Sequence, residues 1–331
     1  MPNTNHNLLF KAIILALCVI SFVHVFLFPL YDINAGRGTV RTYMDFEQSL
    51  CTNNIKKRRI WRLGRCPQYG IVTVMQGGRL GNQMWEYASV WALARRTGLE
   101  PYVPRCIRIK LDQIFEQLSV PMFDEIGQCQ VEISNFVKSL EAWNYTNQSI
   151  ILQKYSFQHE LVLTWVQDIV QEFTIKRKLV EKSQQILHIA IKSSTAKNHT
   201  FVGVHVRRTD YIGYLMWKYN AKPADMRFYM SAMNFFERKY RNVVFIVVSD
   251  DPVWCWKKFG IKKNIYVTSK HHKNSPALDL AILASCNHSI YDYGTFGQWG
   301  AILAGGDTIF HKISHNTSGN FSPMLKNWHT I

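Results

Sequence analysis

The chain has 331 residues, enough for two ordinary domains or one large one. Its 47% hydrophobic content is that of a globular protein and excludes collagenous and low-complexity classes. A net charge of +16 points to an anionic partner: nucleic acid, an anionic membrane or a polyphosphate ligand. Nucleic acid is set aside, because the N-terminal segment argues for a secretory compartment.

Residues 1–11 form a short tail. Ala12 to Leu30 is apolar, interrupted only by Ser21, His24 and Pro29, and is long enough to cross a bilayer. Pro29-Leu-Tyr-Asp follows with no Ala-x-Ala-like exit, so residues 12–30 read as an uncleaved signal anchor, with a cleaved signal peptide as the alternative. Asn-x-Ser/Thr sequons lie beyond it, at Asn144, Asn147, Asn198, Asn287, Asn316 and Asn320, which favours a lumenal body. Glycosylation is expected at Asn144, Asn147, Asn198, Asn316 and Asn320; Asn287 sits inside a motif beside a predicted buried strand and is left out. Of seven cysteines, Cys18 is in the anchor; Cys51, Cys66, Cys106, Cys129, Cys255 and Cys286 form an even set compatible with disulfides, whose pairing spacing cannot give. No Cys-x-x-Cys or His/Cys cluster has zinc spacing, so no metal site is expected.

Residues 31–69 read as a stem, with Gly36-Arg-Gly38, Thr52-Asn-Asn54 and the basic run Lys56-Lys-Arg-Arg59 showing no sustained period. Ile71 to Met75 predicts a strand, Gln76-Gly-Gly78 a turn, and Arg79 onward a helix to about Thr97, ended by Gly98. Leu99 to Val103 predicts the next strand. Strand, Gly-rich turn, helix, strand opens a doubly wound domain. Leu161 to Ile191 is helical in character, and 193–198 reads as an interdomain connection. Then β and α alternate: strands at Phe201–Val206, Val243–Val248, Ile265–Thr268, Ser289–Tyr293 and Thr308–Phe310, helices at Met226–Arg241, Ala277–Ser285 and Phe296–Leu303. Such alternation predicts a mostly parallel sheet covered on both faces.

Three stretches carry candidate chemistry. In Phe201-Val-Gly-Val-His-Val-Arg-Arg-Thr-Asp-Tyr211 a β-branched run breaks into His205, Arg207, Arg208 and Asp210. Arginines at the mouth of a buried strand need an anion, and ligands of open α/β sheets sit beyond the carboxyl ends of strands. Period two puts Gly203, His205 and Arg207 on one face, with Gly203 leaving a ligand room. A structural Arg–Asp pair capping the strand is the plain alternative. Gly77-Gly-Arg-Leu-Gly-Asn-Gln83 joins a predicted strand to a helix N-terminus, a place for ligand approach or an ordinary turn. Tyr293-Gly-Thr-Phe-Gly-Gln-Trp-Gly-Ala301 repeats that pattern, with Thr295 as helix cap or ligand contact. Asp279, in a predicted first helical turn, suits either the helix dipole or a purine edge. Asp250 and Asp251 are adjacent, so their side chains should diverge rather than share a metal.

At these residues the sequence resembles the galactoside α-1,2-L-fucosyltransferases. The likeness rests on Gly78-Arg-Leu-Gly-Asn-Gln-Met84 with Glu86-Tyr-Ala88, on Val202-Gly-Val-His-Val-Arg-Arg208 with Asp210-Tyr211, and on Cys286-Asn-His-Ser-Ile290, Gly294-Thr-Phe-Gly-x-Trp299 and Gly305-Gly-Asp-Thr-Ile309. It implies a GT-B-like α/β fold: two Rossmann-like domains facing a nucleotide-sugar cleft, preceded by one transmembrane helix, with residues 70–195 on the acceptor side and 196–331 holding GDP-fucose. It implies inverting transfer of fucose from GDP-β-L-fucose to the 2-hydroxyl of a terminal β-galactose on a glycoprotein or glycolipid, without a metal, by a single-pass Golgi membrane protein with a lumenal body. Arg207 is implied at the β-phosphate with His205 and Arg208 in support, Asn82 near sugar and phosphate with Arg79 beside it, Asp279 at guanine, and Thr295 and Phe296 lining the nucleotide. Asp210 and Glu86 are candidate bases. The likeness also suggests a Cys255–Cys286 disulfide. Thr209 and Trp85 depart from the family's usual residues, Trp85 being able to reshape the acceptor side. A homodimer stays open; so does an inactive glycan-binding relative, or a fucosyltransferase with another acceptor. A sulfotransferase fits the generic features but lacks an evident phosphate-binding loop.

Overall fold

The computed structural model describes residues 41–52, 65–131, 136–138, 148–192, 194–260, 262–269, 274–313, 321 and 323–331. The expected anchor and the sequons at Asn144, Asn147, Asn316 and Asn320 lie outside these. Among the described residues no helix is long and apolar enough to cross a membrane.

Two all-parallel sheets organise the chain, with a small antiparallel pair of β1 (Arg41–Thr42) and β4 (Gln130–Val131) beside the first. The first sheet has the order β3 (Glu100–Pro101), β2 (Ile71–Val74), β6 (Ser149–Leu152), β5 (Phe136–Lys138). Residues of β2 and β6 are buried on both faces, as parallel strands between helical layers must be. Val72, Val74, Ile150 and Leu152 face the long helix α2 (Leu80–Thr97), while Ile71 and Ile151 face α1 (Tyr43–Leu50). Gly98 stops α2 at φ 76, donating its N–H to Ala94 O.

The expected stem 31–69 therefore ends early. Thr42 caps α1 by accepting the Asp45 N–H, and Tyr43, Phe46 and Leu50 at helical spacing bury against Ile71, Tyr102 and Phe123. Disulfides Cys51–Cys106 and Cys66–Cys129 fasten both flanks of this segment to the first half.

Helix α3 (Arg105–Leu111) follows β3, and the helical stretch after β6 divides into α4 (His159–Thr164), α5 (Val166–Glu172) and α6 (Arg177–Ala190). Strand β7 (Thr200–Val206) opens the second sheet, whose order is β12-β11-β10-β7-β8-β9. Its other members are β8 (Val243–Ser249), β9 (Ile265–Val267), β10 (His288–Tyr291), β11 (Thr308–Phe310) and β12 (Trp328–Thr330). Helices α7 (Tyr211–Tyr219), α8 (Met226–Lys239), α9 (Pro252–Phe259), α10 (Pro276–Ala284) and α11 (Thr295–Ala304) fill the connections. Three of these elements, α7, α9 and β12, were not expected from the sequence.

Val202, Val204, Val206, Phe245 and Val247 pack against α8 and α9; Val244, Ile246 and Val248 pack against α6 and α10. Helix α6 thus lies on the second sheet, with Leu187 in its core and Ser183 hydrogen-bonded to Ser285 at 2.7 Å. Helix α6, expected in the first domain, thus joins both cores, with Leu179 packed on the first and Leu187 on the second.

The same sheet separates the expected disulfide. Cys255 is buried with the α8/α9 face and Cys286 with the α6/α10 face, and both thiols are free. Cys286 instead donates to Ile282 O. Gly203 is likewise no gap for a ligand: a Cβ there would lie 3.1 Å from Leu283 Cδ2 and 3.4 Å from Cys286 Sγ, so the residue admits α10.

Candidate active site

The carboxyl end of β7 is held from both sides. Asp292, just beyond β10, accepts the Arg207 N–H at 2.6 Å through Oδ2. Asp250, just beyond β8, accepts the Arg208 N–H at 2.8 Å through Oδ1. Two neighbouring strands therefore fix the backbone of both arginines, in the register that pairs Tyr291 with His205 and Val206 with Ser249.

The side chains then diverge, as the period of a strand requires. Arg207 donates from Nη2 to Asp210 Oδ1 at 2.6 Å and lies over the Tyr211 ring; its Nε is 3.5 Å from Asp250 Oδ2 and makes no hydrogen bond among the described residues. Arg208 turns the other way, stacking 3.9 Å from the Trp254 ring centroid with Nε 3.4 Å from Asp251 Oδ2. Asp250 accepts the Arg208 backbone N–H, while Asp251 meets the Arg208 side chain and accepts the Trp254 N–H. Burial opposes ionisation of Asp250, but bonds from Thr209 and the Arg208 N–H, with Arg207 nearby, hold its pKa below the usual value.

His205 is buried beside the Phe296 ring, with Nδ1 3.7 Å from Asp292 Oδ1. Burial, then the charge of Arg207, lowers its pKa to about 4, so it brings no positive charge at neutral pH. Asp292 is fully buried, and burial raises its carboxyl to about 7 despite bonds from the Arg207 and Tyr293 N–H groups and the Tyr229 hydroxyl.

The second and third glycine-bearing stretches meet here. Gly78 turns the chain at φ 57, and a Cβ there would fall 1.9 Å from Asn82 Nδ2. Arg79 precedes α2 and reaches Asp210 Oδ2 at 3.1 Å. Asn82 Oδ1 accepts from Thr295 Oγ1 at 2.7 Å. Trp85 Nε1 donates to Gln298 Oε1 at 3.1 Å, and its ring lies 4.5 Å from that of Trp299. Trp85 is thus a buried joint between the halves and does not line an open acceptor surface.

Glu86 lies one turn beyond Asn82 and is only 1% exposed. Burial raises its carboxyl to about 8, against the pull of the Gly77 and Tyr155 backbone N–H groups. At neutral pH it is mostly protonated, which weighs against a role as the base. Asp210 is the other, and a guanidinium meets each of its oxygens.

Asp279 stands apart. It accepts from Asn274 Nδ2 at 2.9 Å, and Asn274 also reaches Thr268 beyond β9. Burial raises its carboxyl to about 6, against the Asn274 bond. Strand β9 is two positions from β7, roughly 10 Å.

The sequence reading missed Asp292 altogether and weighed Asp250 and Asp251 only as metal ligands. Asp250 could have been read as a partner for β7, since it ends a predicted buried strand, whereas Asp292 fell inside the strand expected at Ser289–Tyr293 and nothing singled it out. Among the described residues no group of three His, Cys, Asp or Glu could hold a metal ion.

With this geometry in place, the profile of Glycosyl transferase family 11 matches residues 47–331. The chain belongs to glycosyl transferase family 11. Among characterised members of similar sequence, galactoside alpha-(1,2)-fucosyltransferase 2 of Pongo pygmaeus is 32% identical over 271 residues, covering 80% of this chain and 77% of the relative. Galactoside 2-alpha-L-fucosyltransferase Sec1 of Mus musculus is 32% identical over 276 residues, covering 80% of this chain and 71% of the relative. Among solved structures, the fucosyltransferase NodZ from Bradyrhizobium is 13% identical with a TM-score of 0.44, covering 70% of this chain and 92% of that one. Where α2, β7 and α11 meet, Arg79 and Arg207 both reach Asp210.

Proposed function

We propose that this family 11 glycosyltransferase moves L-fucose from GDP-β-L-fucose to the 2-hydroxyl of a terminal β-galactose, with inversion and without a metal. The observation that carries this reading is the similarity to galactoside α-(1,2)-fucosyltransferases over 80% of the chain. The family profile, over residues 47–331, includes the stretches that meet at Asp210. We infer a GT-B-like arrangement from the two parallel sheets, with the first half taking the acceptor and the second the donor.

The charge on the departing GDP must be met by the chain's own donors. Arg207 is the group for the β-phosphate: its fork is fixed at the backbone by Asp292, and its present partner Asp210 is a carboxylate that a diphosphate can replace. Arg79 reaches the same point from the first half and can follow it. Asn82 and Thr295 join the halves where sugar and diphosphate would meet, with Phe296 behind them on His205. His205 then acts as a neutral group that shapes the floor, and Arg208 supports it indirectly by tying β7 to Asp250 and Asp251. Asp279, linked through Asn274 to Thr268 beyond β9, is the group for guanine when the diphosphate lies on Arg207. Asp210, once exchanged from Arg207, is the candidate to take the acceptor proton.

By the N-terminal apolar segment and the sequons, the protein is a single-pass type II Golgi membrane protein with a glycosylated lumenal body. Asn198, the one expected sequon among the described residues, is exposed. The test is the product's linkage. Magnetic resonance of the disaccharide from GDP-fucose and a methyl β-galactoside should give fucose α-linked at oxygen 2; another linkage refutes the acceptor reading, and no product with bound GDP refutes transfer to galactosides.

A further inference from the structure

Tyr155 is a bulky residue held at φ 64, in the left-handed region that such side chains avoid. It nevertheless leaves 56% of its surface exposed. Strain of this kind persists where surrounding structure over-determines it, and it gathers at ligand sites. The surroundings here are specific. The Tyr155 ring lies over the Gly77-Gly78 turn, where an added Cβ would come within 3.0 and 3.1 Å of it, so the two glycines form its seat. The Glu86 carboxyl lies under the same seat, 2.8 Å from where a Gly77 Cβ would be. Tyr155 follows β6, at the carboxyl edge of the first sheet, where α/β ligands bind.

The residue after Gly78 is Arg79, which crosses to Asp210, and Asp210 immediately precedes α7. That helix exposes an aromatic stripe: Tyr211 to Tyr214 at 5.1 Å between ring centroids, and Tyr214 to Trp217 at 6.2 Å. Tyr214 is 38% exposed and Trp217 77%. Burial first, then Tyr219, pushes the Tyr214 phenol up to about 12, and Tyr155 adds to that rise from across the cleft. Two accessible aromatic rings, one from each half, thus stand beside the segments that carry Arg79 and Asp210.

We propose that Tyr155 and Tyr214 form the platform that receives the acceptor galactose, stacking on the C–H-bearing face of its pyranose ring. Rings of this kind suit a sugar, which presents apolar C–H groups on one face and hydroxyls at its rim. A galactose seated there would bring its rim toward Asp210, which Arg79 ties to the first half and which immediately precedes α7. This assignment rests on the transferase reading above and names the acceptor site within it.

The test is steady-state kinetics of the full chain in detergent, with methyl β-galactoside and GDP-fucose varied separately. Tyr155→Ala and Tyr214→Ala should each raise the acceptor KM about tenfold, while KM for GDP-fucose and the Kd of GDP stay at the parent's values. Tyr155→Phe and Tyr214→Phe should keep the acceptor KM. Tyr155→Gly separates a binding role from a structural one: relief of the positive φ should raise Tm while the acceptor KM still rises about tenfold. A transferring parent whose Ala variants keep its acceptor KM overturns this assignment alone. GDP affinity weakened as much as acceptor affinity makes the rings a nucleobase platform and overturns it too. A parent that binds GDP but accepts no galactoside overturns the acceptor reading and this assignment together.

Discussion

Asn82 and Thr295 share a hydrogen bond of 2.7 Å although 213 positions separate them. Both stand at the start of a helix that follows a strand, one in each half of the chain. Their bond makes the two helix N-termini one surface, and beside it Gly81 lets α2 rest on the backbone of α11.

Gly81→Ala should therefore push the halves apart. The new Cβ would lie 2.5 Å from Phe296 N and 2.7 Å from Thr295 C, backbone atoms that cannot rotate away. A loss of about 1–3 kcal/mol is expected from overpacking of this kind. Thermal unfolding should show a lower Tm, and the KM for GDP-fucose should rise; an unchanged Tm would mean that α2 and α11 are not in contact.

Arg207→Lys keeps the charge and loses the planar fork. Transfer should fall by about 10²–10³-fold in kcat/KM, the scale of one lost donor to developing charge. Calorimetry of GDP binding should weaken in parallel. Retained activity would favour the plain alternative, in which the Arg207–Asp210 pair only caps β7.

Glu86→Gln should leave kcat within about threefold at pH 7, since the carboxyl already carries its proton. The same variant has a stability signature. The folded carboxyl titrates at about 8 against an ordinary value of 4.5. Between those values the native chain holds a proton that the unfolded chain has lost, so parent stability falls as pH rises from about 4.5 to 8 and then levels. Glu47 and Asp292, each raised to about 7 by burial, and Asp279, raised to about 6, slope the same way in parent and variant. The difference between the two denaturation curves thus isolates Glu86, and the variant's should be flatter. A hundredfold loss of kcat would restore the general-base role.

Thiol titration of the unreduced, denatured chain should find Cys255 and Cys286 reactive and Cys51, Cys66, Cys106 and Cys129 blocked. Removing either disulfide should cost about 2–5 kcal/mol, because each closes a loop of more than fifty residues. A blocked Cys255–Cys286 pair would mean that the second sheet does not separate them.

The parallel sheets were legible because β-branched runs and helical spacing repeat without interruption, and Arg207 was legible because a charge at the end of such a run is conspicuous. Asp292 escaped because one carboxylate between two tyrosines carries no pattern until β10 is known to lie beside β7. The cysteine pairing failed for a similar reason: which face of a sheet a helix covers is a tertiary fact, and Cys255 and Cys286 fall on opposite ones. Helix α1 is different. Tyr43, Phe46, Glu47 and Leu50 follow helical spacing after a Thr42 cap, so the signal was present within a segment read as stem. Strand β12 has three residues and, among the described residues, pairs only with β11, too little for a periodic signal.

The most direct test of the account is fucose transfer from GDP-fucose to methyl β-galactoside by the full chain with EDTA present, beside Arg207→Ala. The account predicts α-1,2-linked product from the parent, undiminished by EDTA, with a loss of at least about a hundredfold in the variant. Equal product from parent and variant, or product that disappears with EDTA, would contradict it.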